Sequence, residues 1–264
     1  MRIPIFQIDA FTDVVFKGNP AAVCPLVEWL PDDLLQAIAA ENNLSETAFL
    51  THEGNEYQLR WFTPLREVDL CGHATLAAAH VVLSHLEPDA DQVNFQTKSG
   101  LLTVTRWKHD HLAMDFPSRP ALPLEAPEIL IRALGHQPVE VLASRDLMAV
   151  FNTAAEILAL TPDLHLIQQL ECLGLIVTAP GDDCDFASRF FAPQAGIPED
   201  PVTGSAHCTL IPYWSQKLGK SELLARQVSA RGGELICQDL GERVLIAGRA
   251  VQYLSGTLEL PVES

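Results

Sequence analysis

The chain repeats itself once. Arg60-Trp61-Phe62-Thr63-Pro64 in the first half matches Arg189-Phe190-Phe191-Ala192-Pro193 in the second, and each is followed by an acidic turn, a glycine and a helix-compatible run. The two turn glycines, Gly72 and Gly204, stand 132 residues apart. Gly100 and Gly232, in Lys98-Ser99-Gly100-Leu101 and Ala230-Arg231-Gly232-Gly233, are separated by the same 132 residues. Two landmarks at one spacing describe a duplicated unit rather than a short-period solenoid. A chain of 264 residues has room for two domains of ordinary size. The repeat therefore predicts two similar domains, 1–117 and 118–264. The stretch Pro117 to Pro127, with four prolines, reads as the linker between them.

Local patterns fill in each half. Ile3 to Ala10, Ala21 to Leu26 and Tyr57 to Phe62 read as strands, and Val93 to Thr97, Leu101 to Trp107 and His111 to Phe116 as successive antiparallel ones. Pro31 and an acidic first turn open a helix over Leu34 to Glu41. Ala74 to Leu86 is rich in alanine and apolar all round, which predicts a buried helix, and Ala206 to Leu218 is its counterpart. In the second half Leu173 to Ala179, Asp185 to Ala192 and four segments from Leu223 to Leu260 read as strands. Strands around a buried helix, twice, make an α+β architecture of two similar domains.

Composition removes several classes of function. A net charge of −17 and a sequence pI of about 4.8 disfavour nucleic acid and anionic membrane surfaces as partners. No run of eighteen apolar residues predicts a transmembrane helix. Met1 to Ala10 reads as a first strand rather than a signal peptide. The six cysteines form no C-x-x-C pair, so neither a zinc site nor a disulfide framework is expected, and a reducing cytoplasm is the default location. No G-x-G-x-x-G follows a strand, which argues against a dehydrogenase, and the His and carboxylate residues show no metal-ligand spacing.

Chemistry concentrates in a few stretches. Glu199-Asp200-Pro201-Val202-Thr203-Gly204-Ser205-Ala206-His207 reads as a tight turn feeding a helix. A helix N-terminus presents free N–H groups and positive dipole, which suits an anion, and an acidic pair beside it is unusual. Taken alone, the acid is equally well an N-cap on a surface helix. Asp69-Leu70-Cys71-Gly72-His73-Ala74 repeats the arrangement in the first half, so two such helix ends could face one cleft. Glu46 heads an apolar strand in Leu44-Ser45-Glu46-Thr47-Ala48-Phe49-Leu50, where an isolated glutamate is ordinarily a solvated edge group. His80 and His85 read as structural, and His207 as reaching or merely supporting the site. Arg60 and Arg189 read as braces for the turns through backbone carbonyls.

Four blocks, taken together, resemble the phenazine-biosynthesis PhzF-like isomerases. They are Phe16-Lys17-Gly18-Asn19-Pro20-Ala21-Ala22-Val23, Asn43-Leu44-Ser45-Glu46-Thr47-Ala48-Phe49, Cys71-Gly72-His73-Ala74-Thr75 and Glu199-Asp200-Pro201-Val202-Thr203-Gly204-Ser205-Ala206. They occur in the family's order across nearly the whole chain. The resemblance implies the diaminopimelate-epimerase fold: two pseudo-symmetric domains, each a curled, mostly antiparallel sheet around a central helix, with the active site between them. It implies a cofactor-free isomerase and a homodimer, acting on a small carboxylate such as trans-2,3-dihydro-3-hydroxyanthranilate. Glu46 would transfer the proton, His73, Asp200 and Ser205 would line the same site, and Ser45, Gly72 and Gly204 would contact the substrate. Two alternatives stay open: a two-base amino-acid epimerase or racemase, and a non-catalytic binding protein of the same fold. Epimerases of that fold use one thiol from each half. Cys71 supplies the first, but the matching turn carries Asp200-Pro201, and Cys208 lies inside the following helix. The presence of both Glu46 and Asp200 favours an enzyme over the binding protein.

Overall fold

Period-two alternation sets the strands. In Glu56–Phe62 the side chains of Tyr57, Leu59 and Trp61 are buried while Glu56, Gln58 and Arg60 are less so, as a half-covered sheet requires. The computed structural model describes residues 1–54 and 56–260. Its chain forms two compact units, residues 1–115 with the segment from Ala247 onward, and Phe116–Ile246.

The first unit contains strands β1 (Arg2–Ala10), β2 (Asn19–Leu26), β3 (Glu46–Glu53), β4 (Glu56–Phe62), β5 (Glu67–Val68), β6 (Gln92–Thr97), β7 (Gly100–Trp107) and most of β8 (His111–Pro117), with helices α1 (Asp32–Asn42) and α2 (Gly72–Val81). The second contains β9 (Leu122–Pro123), α3 (Glu128–Leu134), β10 (Glu140–Ala143), β11 (Leu147–Val150), α4 (Ala154–Ala159), α5 (Leu164–Ile167), β12 (Leu175–Pro180), β13 (Phe186–Ala192), β14 (Ile197–Asp200), α6 (Gly204–Leu218), β15 (Glu222–Gln227), β16 (Gly233–Asp239) and most of β17 (Arg243–Gly248). The last strand, β18 (Ala250–Glu259), belongs to the first unit.

The duplication reappears as a pairing scheme. In the first unit β1–β2 is antiparallel, β2–β3 parallel, β3–β4 antiparallel, β4–β6 parallel and β6–β7 antiparallel. In the second the same succession runs β10–β11, β11–β12, β12–β13, β13–β15 and β15–β16. Even the short strands correspond: β5 lies on β4 as β14 lies on β13. The architecture is α+β, as the sequence predicts.

Each repeat carries its landmark helix. The four alanines of α2 are fully buried against β1, β2 and β3, and their small side chains let the strands close round the helix. Past Val81 the last turn widens into a π-helix over Val82–Leu86, where the Glu87 N–H donates to the Val82 carbonyl at 2.7 Å. In the second unit α6 packs on β15 and β16, with Trp214 stacked on Phe186 at 5.7 Å and its indole N–H donating to Thr178 Oγ1 at 3.0 Å. The outer faces are covered by α1, through Leu35, Ile38 and Ala39 against Phe49 and Phe62, and by α3, α4 and α5 over β10 to β13.

Three expectations need correction. The division 1–117 and 118–264 misplaces the C-terminal segment, because β18 pairs antiparallel with β1 from Ala250↔Ala10 to Glu259↔Arg2. The proline-rich stretch is a strap rather than a free linker. The N–H groups of Ser118, Arg119 and Leu124 donate to the carbonyls of Glu242, Cys208 and Val141, and β9 pairs with β10. Proline removes its own donor but not those of its neighbours. Finally, Glu199 and Asp200 end a strand, Phe190↔Asp200 being in register, so the turn proper begins at Pro201.

Candidate active site

In the first unit the sequence blocks converge on one histidine. His73 is the second residue of α2 and is 4% exposed; Glu46, the first residue of β3, is 7% exposed. His73 Nε2 lies 3.0 Å from Glu46 Oε2. On the other side of the ring the Asn19 side-chain N–H, at the start of β2, donates to Nδ1 at 3.1 Å. In the neutral ring that contact selects the tautomer with its proton on Nε2. Cys71 completes the cluster, its Sγ 3.5 Å from Nδ1 and 4.0 Å from Nε2.

Burial opposes a charge on His73, yet its anionic neighbours outweigh burial and hold its pKa well above the ordinary value. Cys71 helps only as a thiolate, and its own burial, reinforced by Glu46, pushes that thiol up to about 11. Of the two neighbours, Glu46 is the one placed directly beside Nε2, at 3.0 Å. A carboxylate held beside an imidazole places a proton acceptor next to a group that can return the proton.

The second unit builds its counterpart on the turn before α6. Asp200 Oδ2 accepts from Thr203 Oγ1 at 2.5 Å. The Gln227 side-chain amide, from the end of β15, donates to the Asp200 carbonyl at 2.8 Å and to Thr203 Oγ1 at 3.1 Å, and accepts from the Thr203 N–H at 2.8 Å. One glutamine thus locks the turn that carries Asp200. Ser205, in the first turn of α6, accepts from Arg145 Nη2 at 2.9 Å, and the same guanidinium group binds Asp146 at 3.0 Å. Asp146 is 1% exposed, and burial raises its pKa despite Arg145 and Arg119. With its oxygen occupied by Arg145, the Ser205 hydroxyl is left to donate.

Gly72 and Gly204 are the first residues of α2 and α6, and neither helix has a side-chain cap. Ser45 lies just ahead of Glu46 at the head of β3. Arg189 donates to the Ile157 and Leu160 carbonyls and to Glu199. Arg60 instead binds two carboxylates, Glu67 and Asp32, so only the second-half arginine braces backbone as expected. Sequence reasoning gave no role to Asn19, Thr203, Gln227, Arg145 or Asp146. Asn19 and Thr203 stood inside the quoted blocks, whereas Gln227 and Arg145 carried no motif.

His207 is a supporting residue. It is 0% exposed, bonded through Nδ1 to the Thr203 carbonyl at 2.8 Å, and burial lowers its pKa to about 4. The folded state therefore binds fewer protons than the unfolded chain between roughly pH 6.5 and 4, and stability falls as pH drops through that window. A displacement of this size corresponds to about 3 kcal/mol. Urea unfolding at pH 7 and pH 4 should show wild type losing about that much more on acidification than His207→Gln; equal losses would mean His207 is not the buried neutral base.

The model of the phenazine biosynthesis-like protein family matches residues 8–256. The chain belongs to that family. An uncharacterized isomerase of Pseudomonas aeruginosa is 53% identical over 98% of this chain and 100% of its own length. The crystal structure of a PhzF-family protein from Enterococcus faecalis is 46% identical, with a TM-score of 0.96 over 98% of this chain and 100% of that one. A predicted epimerase from Pseudomonas aeruginosa, 18% identical with a TM-score of 0.75 over 98% of this chain and 100% of that one, shares the fold alone. Relatives of 46–53% identity are named as isomerases, and this PhzF-like chain is an enzyme of the isomerase class. Among the described residues, no helix is long and apolar enough to cross a membrane.

Proposed function

We propose that the chain is a cofactor-independent isomerase that moves a carbon-bound proton within a small carboxylate, with Glu46 as the proton-transfer group. The observation that carries this reading is the buried Glu46–His73 pair at 3.0 Å. A proton on carbon beside a carboxylate is weakly acidic, and its removal needs a positioned base and a stabilised anion. Glu46 supplies the base and His73 the partner that accepts or returns a proton. Asp200 and Ser205 hold the substrate, together with Ser45 and the first-turn N–H groups at Gly72 and Gly204, which favour a carboxylate. A dihydro-hydroxyanthranilate-like acid suits these groups, and the family relation supports it. A homodimer is proposed on the same relation.

The test is solvent exchange. Small cyclic and amino carboxylates, dihydro-hydroxyanthranilate first, are incubated with the protein in heavy water and followed by NMR. One of them should take up deuterium at carbon in an enzyme-dependent way, at a position different from the one that lost hydrogen. Label returned to the same carbon with inverted configuration would instead establish an epimerase. Conversion of a substrate with neither label uptake nor an isotope effect from its carbon-bound hydrogen would end the proposal.

A further inference from the structure

Glu46, Cys71 and His73 offer one oxygen, one sulfur and one nitrogen, all within 4.8 Å of one another and all buried. We propose that this triad is a zinc site, and that Zn²⁺ bound there blocks the enzyme by occupying the lone pairs of its base. The inhibitory part rests on the proton-transfer role of Glu46; the site itself does not.

The donor set is the first argument. Thiolate, imidazole and carboxylate are the ligands Zn²⁺ takes, and three protein ligands leave a fourth tetrahedral position open. Spacing is the second. Zinc bonds of about 2.3 Å to sulfur and 2.0–2.2 Å to nitrogen and oxygen give tetrahedral edges of about 3.3–3.6 Å. The corresponding separations are 3.0 Å for His73 Nε2 to Glu46 Oε2 and 4.0 Å for Cys71 Sγ to His73 Nε2. Sγ is also 3.5 Å from Nδ1, so it lies over the ring rather than on the Nε2 lone pair, and the site closes only when Cys71 turns to another rotamer that brings Sγ beside Nε2 and the carboxylate, the three ligand atoms already lying within 4.8 Å of one another.

Support around the ring is the third argument. Asn19 already contacts Nδ1, the nitrogen that would face away from a metal on Nε2. A half-turn of its amide would present the oxygen to an Nδ1–H, the usual partner of a metal-bound imidazole. The proton balance is simple. The neutral ring moves its proton from Nε2 to Nδ1, and the Cys71 thiol releases one to solvent. When His73 enters as an imidazolium, its Nε2 proton is released as well.

Cobalt(II) is the probe. Titrating the protein with Co²⁺ should saturate at one equivalent, with visible bands of tetrahedral intensity and a near-ultraviolet thiolate-to-cobalt band, and Zn²⁺ should bleach both. Cys71→Ser should abolish the near-ultraviolet band and weaken binding by on the order of 100-fold, with near-ultraviolet circular dichroism reporting that the fold is kept. Glu46→Gln should weaken it about tenfold while retaining the thiolate band. Absence of a saturable visible spectrum, or wild-type affinity in Cys71→Ser, would overturn the site. On a carboxylate that exchanges in heavy water, one equivalent of zinc should stop exchange; undiminished exchange with the site filled would overturn the inhibition. The cobalt spectrum needs no substrate, so failure of the site and failure of the isomerase reading are separately visible.

Discussion

Glu46→Gln should fold as wild type and lose turnover by about a hundred- to ten-thousandfold, the range typical of a removed acid–base group. Glutamine occupies the same volume, and its amide oxygen can accept the Nε2–H of His73 where the Glu46 carboxylate now lies at 3.0 Å. The register Ala21↔Glu46 at the start of β3 involves backbone only and is undisturbed. What disappears is basicity. Deuterium uptake should slow in parallel with turnover, because one group serves both. His73→Asn should also lose activity, since it removes the partner that shares the proton. Wild-type turnover by Glu46→Gln on a substrate the protein demonstrably converts would pass the role of base to Asp200 or His73.

Gly18→Ala should cost about 2–5 kcal/mol of stability, combining about 1–2 for a left-handed alanine with about 1–3 for a forced contact. Gly18 has φ +63°, and an added methyl would press on the backbone Ala10 carbonyl oxygen and on Thr12 Cγ2. The threonine can turn aside, but the carbonyl belongs to β1, where Ala10 pairs with Asn19. Relief must come from moving the start of β2, and with it the amide that orients His73. Gly135→Ala is the control: it has φ +69° but open space around the position, so only the conformational part, about 1–2 kcal/mol, should appear. Urea unfolding of both variants checks the difference. Equal losses would show that the Ala10 contact is not the limiting one.

How much of this was legible follows from the range of each interaction. The duplication was legible because its marks are local: an arginine before two large side chains, a turn glycine, a helix. The strand pairing behind it repeats across both units, so the marks reported a real topology. The helix ends at Gly72 and Gly204 and the place of Glu46 at the head of β3 were legible for the same reason. Partner choice was not. Ala250–Glu259 reads as a strand whichever edge it joins, and only the register with Arg2–Ala10 assigns it to the first unit. Cys71 read only as half of an incomplete thiol pair, because nothing in the spacing of Cys71, His73 and a glutamate on a distant strand shows that they meet. Asn19 was quoted without a role, its partner lying on another element.

The seam between β1 and β18 has a consequence during synthesis. The Met1 amino group donates to the Leu260 carbonyl at 2.7 Å and the Leu260 N–H returns a bond to Met1 at 2.9 Å, so the pairing runs the full length of both strands. About 240 residues separate the end of one from the start of the other, which at roughly 5–20 residues per second is about 12–48 s of translation. Throughout that interval a nascent β1 offers the ribosome's surroundings a bare edge of unpaired N–H and C=O groups. Residues 116–246 are uninterrupted in sequence, so the second unit needs no segment beyond Ile246 to close on itself. A stalled or truncated message that ends before Ala250 would therefore release a chain with a finished second half and a sticky first one, a substrate for chaperones rather than a smaller enzyme.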